Sequence, residues 1–194
     1  MKTRAWALAL AVTAAAPAVA QTVDPLQSET LIKKVVNQPG TAWTFYGPGL
    51  STKTMKDPDL PGTQFLRATV ADKGKNPWDA GAGYDIDRPI KAGDVIFFAV
   101  YLRAPQIKDG ETAEMPGMGV SQNGAPYAAI AMATAHITNR WGVYYAAAKA
   151  PATYGRGQAK IGLQLAADKQ VIDLGPVFAL DLGPDYDINS LPHN

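Results

Sequence analysis

The sequence predicts an all-β domain, a sandwich or barrel of short antiparallel strands. Three observations carry that prediction. Runs rich in β-branched and aromatic residues recur at intervals of roughly ten residues, with turn residues between them. The 18 glycines and 15 prolines are spread along the chain and do not gather in a linker, as many strand-to-strand turns require. Helical periodicity is scarce, whereas two long runs alternate with a period of two residues.

The elements follow in chain order. Met1-Lys2-Thr3-Arg4 and the apolar run to Ala20 have the charged start, greasy middle and small-residue Ala18-Val19-Ala20 end of a secretory leader. Cleavage after Ala20 is expected, leaving residues 21–194 as a single domain with its core at about 30–183, exported to the periplasm or secreted. Leu31 to Asn37 reads as a short strand or one helical turn, and Ala42 to Tyr46 is β-prone. The strands expected next are "QFLRATVA", "WDAGAGYDI" and Val95 to Arg103, the last being the strongest. "GMGVSQ" and "YAAIAMATA" follow, joined by "NGAP" as a hairpin turn. "WGVYYAAA", "AKIGLQLA" and "QVIDLGPVFALDL" complete the set, with a turn at Ala167-Asp168. The closing "GPDYDINSLPHN" reads as a strand exit and tail.

Alternation sorts the faces, because successive side chains point to opposite sides of a sheet. Ile96, Phe98, Val100 and Leu102 make a uniformly apolar face that belongs in the core. Phe97, Ala99, Tyr101 and Arg103 make the other. In the run from Lys160, Ile161, Leu163 and Leu165 face inward, while Lys160, Gly162 and Gln164 face outward. Each strand thus has one greasy face and one mixed face, which is why an arginine closes an otherwise apolar strand. Arg103 also reads as an ion-pair partner of Asp79 or Asp85.

Several function classes drop out. Losing Lys2 and Arg4 with the leader removes two of 18 basic residues while all 17 acidic ones stay, so the net charge passes from +1 to −1. No basic stripe appears, and a nucleic-acid partner is not expected. Without cysteine there is no disulfide and no lipidated N-terminal thiol, so stability rests on packing. Beyond the leader no apolar run reaches the length of a membrane span. Of two histidines, His136 precedes a turn and His193 is penultimate. No H-E-x-x-H or G-x-S-x-G motif occurs.

The run "NPWD…IKAGDVIFFAVYLRA", the later "ITNRWGVYY" and the closing "AKIGLQLAADKQVIDLGPVFALDLG" resemble, in order and spacing, carbohydrate-binding modules with the galactose-binding-like jelly-roll fold. The resemblance covers about Gln64 to Gly183. It implies a jelly-roll β-sandwich, a poly- or oligosaccharide ligand, and in many such modules a structural calcium ion, with Asp173 at the position of a family aspartate. Sugars stack their C–H faces on aromatic rings and hydrogen-bond to amides and guanidinium groups. Tyr101, Arg103 and Gln164 fit by strand face, Trp78 and Tyr84 by their spacing around Ala80 and Ala82, and Gln122 as a further amide. The leading expectation is a non-catalytic carbohydrate-binding protein. The alternatives are an envelope β-sandwich that contacts a protein partner and a small polysaccharide-active enzyme, a lyase built on His136 with Tyr144 or Tyr145 or a hydrolase built on a carboxylate pair.

Overall fold

The computed structural model describes residues 33–194; the leader and the first residues of the run at 31–37 lie outside the described residues. Ten strands follow in order: β1 (Thr44–Tyr46), β2 (Leu50–Lys56), β3 (Gln64–Val70), β4 (Gly81–Asp85), β5 (Val95–Arg103), β6 (Ala113–Gln122), β7 (Ala129–Ile137), β8 (Gly142–Lys149), β9 (Ala159–Gln164) and β10 (Gln170–Asp181). They form two five-stranded antiparallel sheets, the first ordered β1-β4-β9-β6-β7 and the second β2-β3-β10-β5-β8. No helix among the described residues is long and apolar enough to cross a membrane.

The inward faces are those that alternation predicts. Ile96, Phe98, Val100 and Leu102 of β5 meet Ile161, Leu163 and Leu165 of the β9 run in the inter-sheet core, joined by Met115, Met118 and Val120 of β6. Each such buried side chain contributes about 1.5–3 kcal/mol relative to exposure. β2 has no such pattern. It is an edge strand, five of whose seven residues are exposed, so nothing in its sequence had to alternate.

The outside of the second sheet differs from the expectation. Phe97 and Ala99 do not lie on an open face; with Val95 they form a second buried cluster closed by Leu180, Leu182 and Leu191. The tail is therefore part of the fold. The Asn194 side chain accepts from Tyr145 N at 2.8 Å and donates to Tyr145 O at 2.9 Å, as a neighbouring strand would. From the other end, Val35 and Gly40 bridge to Leu180 and Val177, and buried Asn37 bonds the backbone of Val177 and Ala179. Among the described residues, these two segments pack on the second sheet and neither covers the outer face of the first.

Trp78 also departs from the alternating reading. It sits in a 3-10 turn, Pro77–Asp79, ahead of β4, so the period-two count from Trp78 to Tyr84 does not hold. Ala80, Ala82 and Tyr84 point into the core, while Trp78 is exposed.

Candidate functional site

The outer face of the first sheet carries a groove of about 790 Å³, within the range of ligand sites. Its floor is low because its strands bring glycine outward. At Gly162, in the middle, an added Cβ would meet nothing within 4 Å. At Gly117 a Cβ would collide with the Gln164 amide lying across it, and at Gly81 with the Tyr46 ring. These glycines let the two side chains lie flat over the sheet.

Aromatic rings stand around this floor. Tyr46, Trp78 and Tyr127 all line the groove, and they are three of the four large apolar side chains that are exposed among the described residues. Each is held by local chemistry. The turn under Trp78 is closed by Asp79, whose carboxylate accepts from Asn76 N at 2.9 Å and from Asn76 Nδ2 at 3.3 Å. The backbone bond, then the side-chain bond, hold the Asp79 carboxyl below its ordinary 3.8, so the turn stays closed at neutral pH. Tyr127 occupies the β6–β7 connection at φ +57°, a left-handed conformation that costs a non-glycine residue about 1–3 kcal/mol and recurs at ligand-binding positions. Its ring lies 5.4 Å from the Lys160 ammonium. Burial raises the Tyr46 phenol above its ordinary 10.0, so it remains a neutral hydrogen-bonding group.

Ser121, Lys160 and Gln164 supply the polar groups between the rings. Among the described residues, Lys160 is the one charged residue in the lining. The arrangement offers flat apolar platforms, an amide, a hydroxyl and an ammonium over an open floor. His136 lies outside it, exposed on β7 and opposite Glu114 in register.

Of the six residues expected from the sequence, the structure brings two, Trp78 and Gln164, into this groove. Gln122 stands nearby at the end of β6, its Nε2 3.5 Å from Ala125 O in the turn that carries Tyr127. Tyr84 is buried; its ring packs edge-on against Trp43 at 5.3 Å and its hydroxyl donates to Gln38 O at 2.8 Å. Tyr101 and Arg103 belong to the outer face of the second sheet. Sequence reasoning missed Tyr46, Ser121, Tyr127 and Lys160 as site residues, although Lys160 shares the outward face of β9 with Gln164.

Arg103 is engaged there. Its Nε donates to Asp173 Oδ2 at 2.7 Å and its Nη1 to Asp57 Oδ2 at 2.9 Å, so its partners are not Asp79 or Asp85. Arg67 binds both oxygens of the same Asp173, at 2.7 and 2.9 Å. The guanidinium of Arg103 lies 4.5 Å from the Trp141 ring, whose Nε1 donates to Asp57 at 3.0 Å. That indole bond, the Asp59 backbone and Arg103 hold the Asp57 carboxyl below its ordinary value. Asp173 is fully buried, and its oxygens are taken up by two guanidinium groups. It does not fit as a calcium ligand, which would need those oxygens free. No group of three or more His, Asp or Glu side chains suited to a metal occurs among the described residues.

No protein-family model matches the sequence, and comparison with curated proteins finds no match. The backbone, in contrast, superposes on solved structures. A family 4 carbohydrate-binding module matches with a TM-score of 0.53 at 20% identity, over 72% of this chain and 94% of that one. The CBM22-1–GH10 modules of Clostridium thermocellum endo-1,4-β-D-xylanase 10B, complexed with xylohexaose, match with 0.53 at 14% identity, over 76% of this chain and 29% of the larger one. The CBM22-1 xylan-binding domain of Paenibacillus barcinonensis Xyn10C matches with 0.50 at 13% identity, over 77% and 92%. At these identities the likeness is one of fold, and the chain has the two-sheet jelly roll found in the carbohydrate-binding modules of glycoside hydrolases.

Proposed function

We propose that this is an exported, non-catalytic protein that binds a polysaccharide in the groove across the first sheet. The observation that carries the reading is the gathering of Tyr46, Trp78 and Tyr127 around a glycine floor. Exposed aromatic rings are costly to leave in water unless something covers them, and sugar rings cover them well because their axial C–H groups are apolar. The hydroxyls at the edge of each sugar then meet Gln164, Ser121 and Lys160. The similar folds whose structures hold xylohexaose or are described as xylan-binding make β-linked xylan chains the first ligands to try.

Affinity electrophoresis tests this. The purified protein is run through gels containing xylan, β-glucan, mannan or an acidic polysaccharide. Retardation on at least one, lost in Trp78→Ala and Tyr127→Ala, is the expected result. Free migration in every gel, or retardation indifferent to both substitutions, would reject the reading.

A further inference from the structure

The groove does not end at Trp78. Pro77, beside it in the same turn, lines a second hollow of about 480 Å³, and Pro116 lines both. Gln164 lies in the groove, and Ala166, two residues on, lies in the hollow. A chain lying in the groove and crossing the Trp78 turn therefore enters this hollow.

The two parts differ in the charged groups they carry, although among the described residues each has one more cation than carboxylate. Lys73, Lys75 and Lys169 line the hollow, against Glu114 and Asp168. None of these lysines makes an ion pair within 4 Å among the described residues, where the three ion pairs belong to Arg67 and Arg103. Asp168 accepts from the Lys169 backbone at 2.8 Å through one of its two oxygens. Lys75 does feel the Asp79 carboxylate next to it. At the far end of the groove Lys160 faces Asp85 across the strand pair, yet its ammonium lies over the Tyr127 ring. Among the described residues, three ammonium groups and two carboxylates thus line one end of the path, one ammonium lines the other, and no carboxylate lines the groove proper.

Resting on the polysaccharide reading, we propose that the ligand is an anionic polysaccharide, whose carboxylate or sulfate groups are taken by Lys73, Lys75 and Lys169 in the hollow beyond Trp78. The neutral sugar faces stack in the groove, and the charged substituent selects the chain and sets its direction. Ammonium groups suit both substituents, because they act as compact charges with three rotatable donors.

The test compares one backbone in several forms. Affinity gels are cast with glucuronate-substituted xylan, the same polymer after carboxyl reduction, and sulfated xylan; polygalacturonate and its carboxyl-reduced form are run in parallel. The expected result is about tenfold stronger retardation on a charged polymer than on its neutral counterpart, weakened by 0.5 M salt, since each exposed contact contributes modestly and is screened. Stronger retardation on the carboxylated than the sulfated form, or the reverse, identifies the substituent. A Lys73→Gln, Lys75→Gln, Lys169→Gln triple variant keeps retardation on the neutral polymer and loses the preference. Equal retardation on charged and neutral forms, or an unaltered preference in the triple variant, overturns this proposal and leaves polysaccharide binding standing. Free migration in every gel overturns both.

Discussion

Arg103→Met separates the two outer faces of the sandwich. Methionine keeps an apolar stem of similar length, so the packing over Phe65 and Trp141 is largely retained. What disappears is the 2.7 Å bond to Asp173, the 2.9 Å bond to Asp57 and the cation 4.5 Å from the Trp141 ring. Asp173 stays fully buried with Arg67 as its remaining cation. The Arg103 side chain is 21% exposed, so water replaces little of what is lost. A hydrogen bond to a buried carboxylate contributes about 1.5–3 kcal/mol and the cation–ring contact about 0.5–1 kcal/mol. The sum is about 3 kcal/mol, which for a domain of this size lowers the Tm by roughly 6–12 °C. Polysaccharide retardation at 20 °C stays unchanged, because the groove is on the other sheet. Thermal unfolding followed by tryptophan fluorescence and affinity electrophoresis on the same preparation check the two halves. A native Tm combined with lost retardation would refute the reasoning, because Arg103 would then be meeting a ligand and not Asp173.

Three further outcomes follow from the same geometry. Trp78→Ala weakens polysaccharide binding by about tenfold or more, the worth of one stacked ring; since Trp78 is 56% exposed, its Tm shifts by no more than a surface substitution does, and a large Tm loss would place the ring in the fold. Gly162→Val closes the floor of the groove: a Cβ there meets nothing within 4 Å, so the protein folds normally and retardation is abolished, whereas undiminished retardation would put the ligand elsewhere. Burial, with the Asp94 carboxylate close by, raises the Asp181 carboxyl above its ordinary 3.8. The folded state holds that proton more tightly than the unfolded chain, so its contribution is present below pH 3.8 and lost as pH rises through the raised value. Asp181→Asn can still accept from Gly183 N, now at 3.0 Å, and therefore raises the Tm at pH 7 while leaving it unchanged at pH 3; no gain at pH 7 would reject the repulsion.

The parts legible in the sequence were those in which one strand reports its own surroundings. β5 and β9 alternate without interruption, so their core faces follow directly from the order of their residues. The fate of β5's other face depends on residues far along the chain. Phe97 is covered by Leu180, Leu182 and Leu191, and Arg103 meets Asp173 through the β5–β10 register; neither is written near β5. Trp78 reached the groove by a route different from the one expected: a turn, not a strand face, displays it. Tyr127 reads as the start of a strand, and a positive φ at a tyrosine leaves no mark in the sequence. Tyr46 is in a β-prone run, but its role depends on Gly81, its register partner on the neighbouring strand β4 and far along the chain. Single residues were visible; their convergence was a property of the register.

The glycine floor has a consequence for how such a surface changes. Where a groove is carved from large side chains, altering its shape means repacking neighbours. Here the central position, Gly162, has vacant space above it, so each small residue substituted there sets a new depth at little cost to the rest of the sheet. The groove behaves as a blank whose contour is set one atom group at a time from a single site, while the rings around it stay in place.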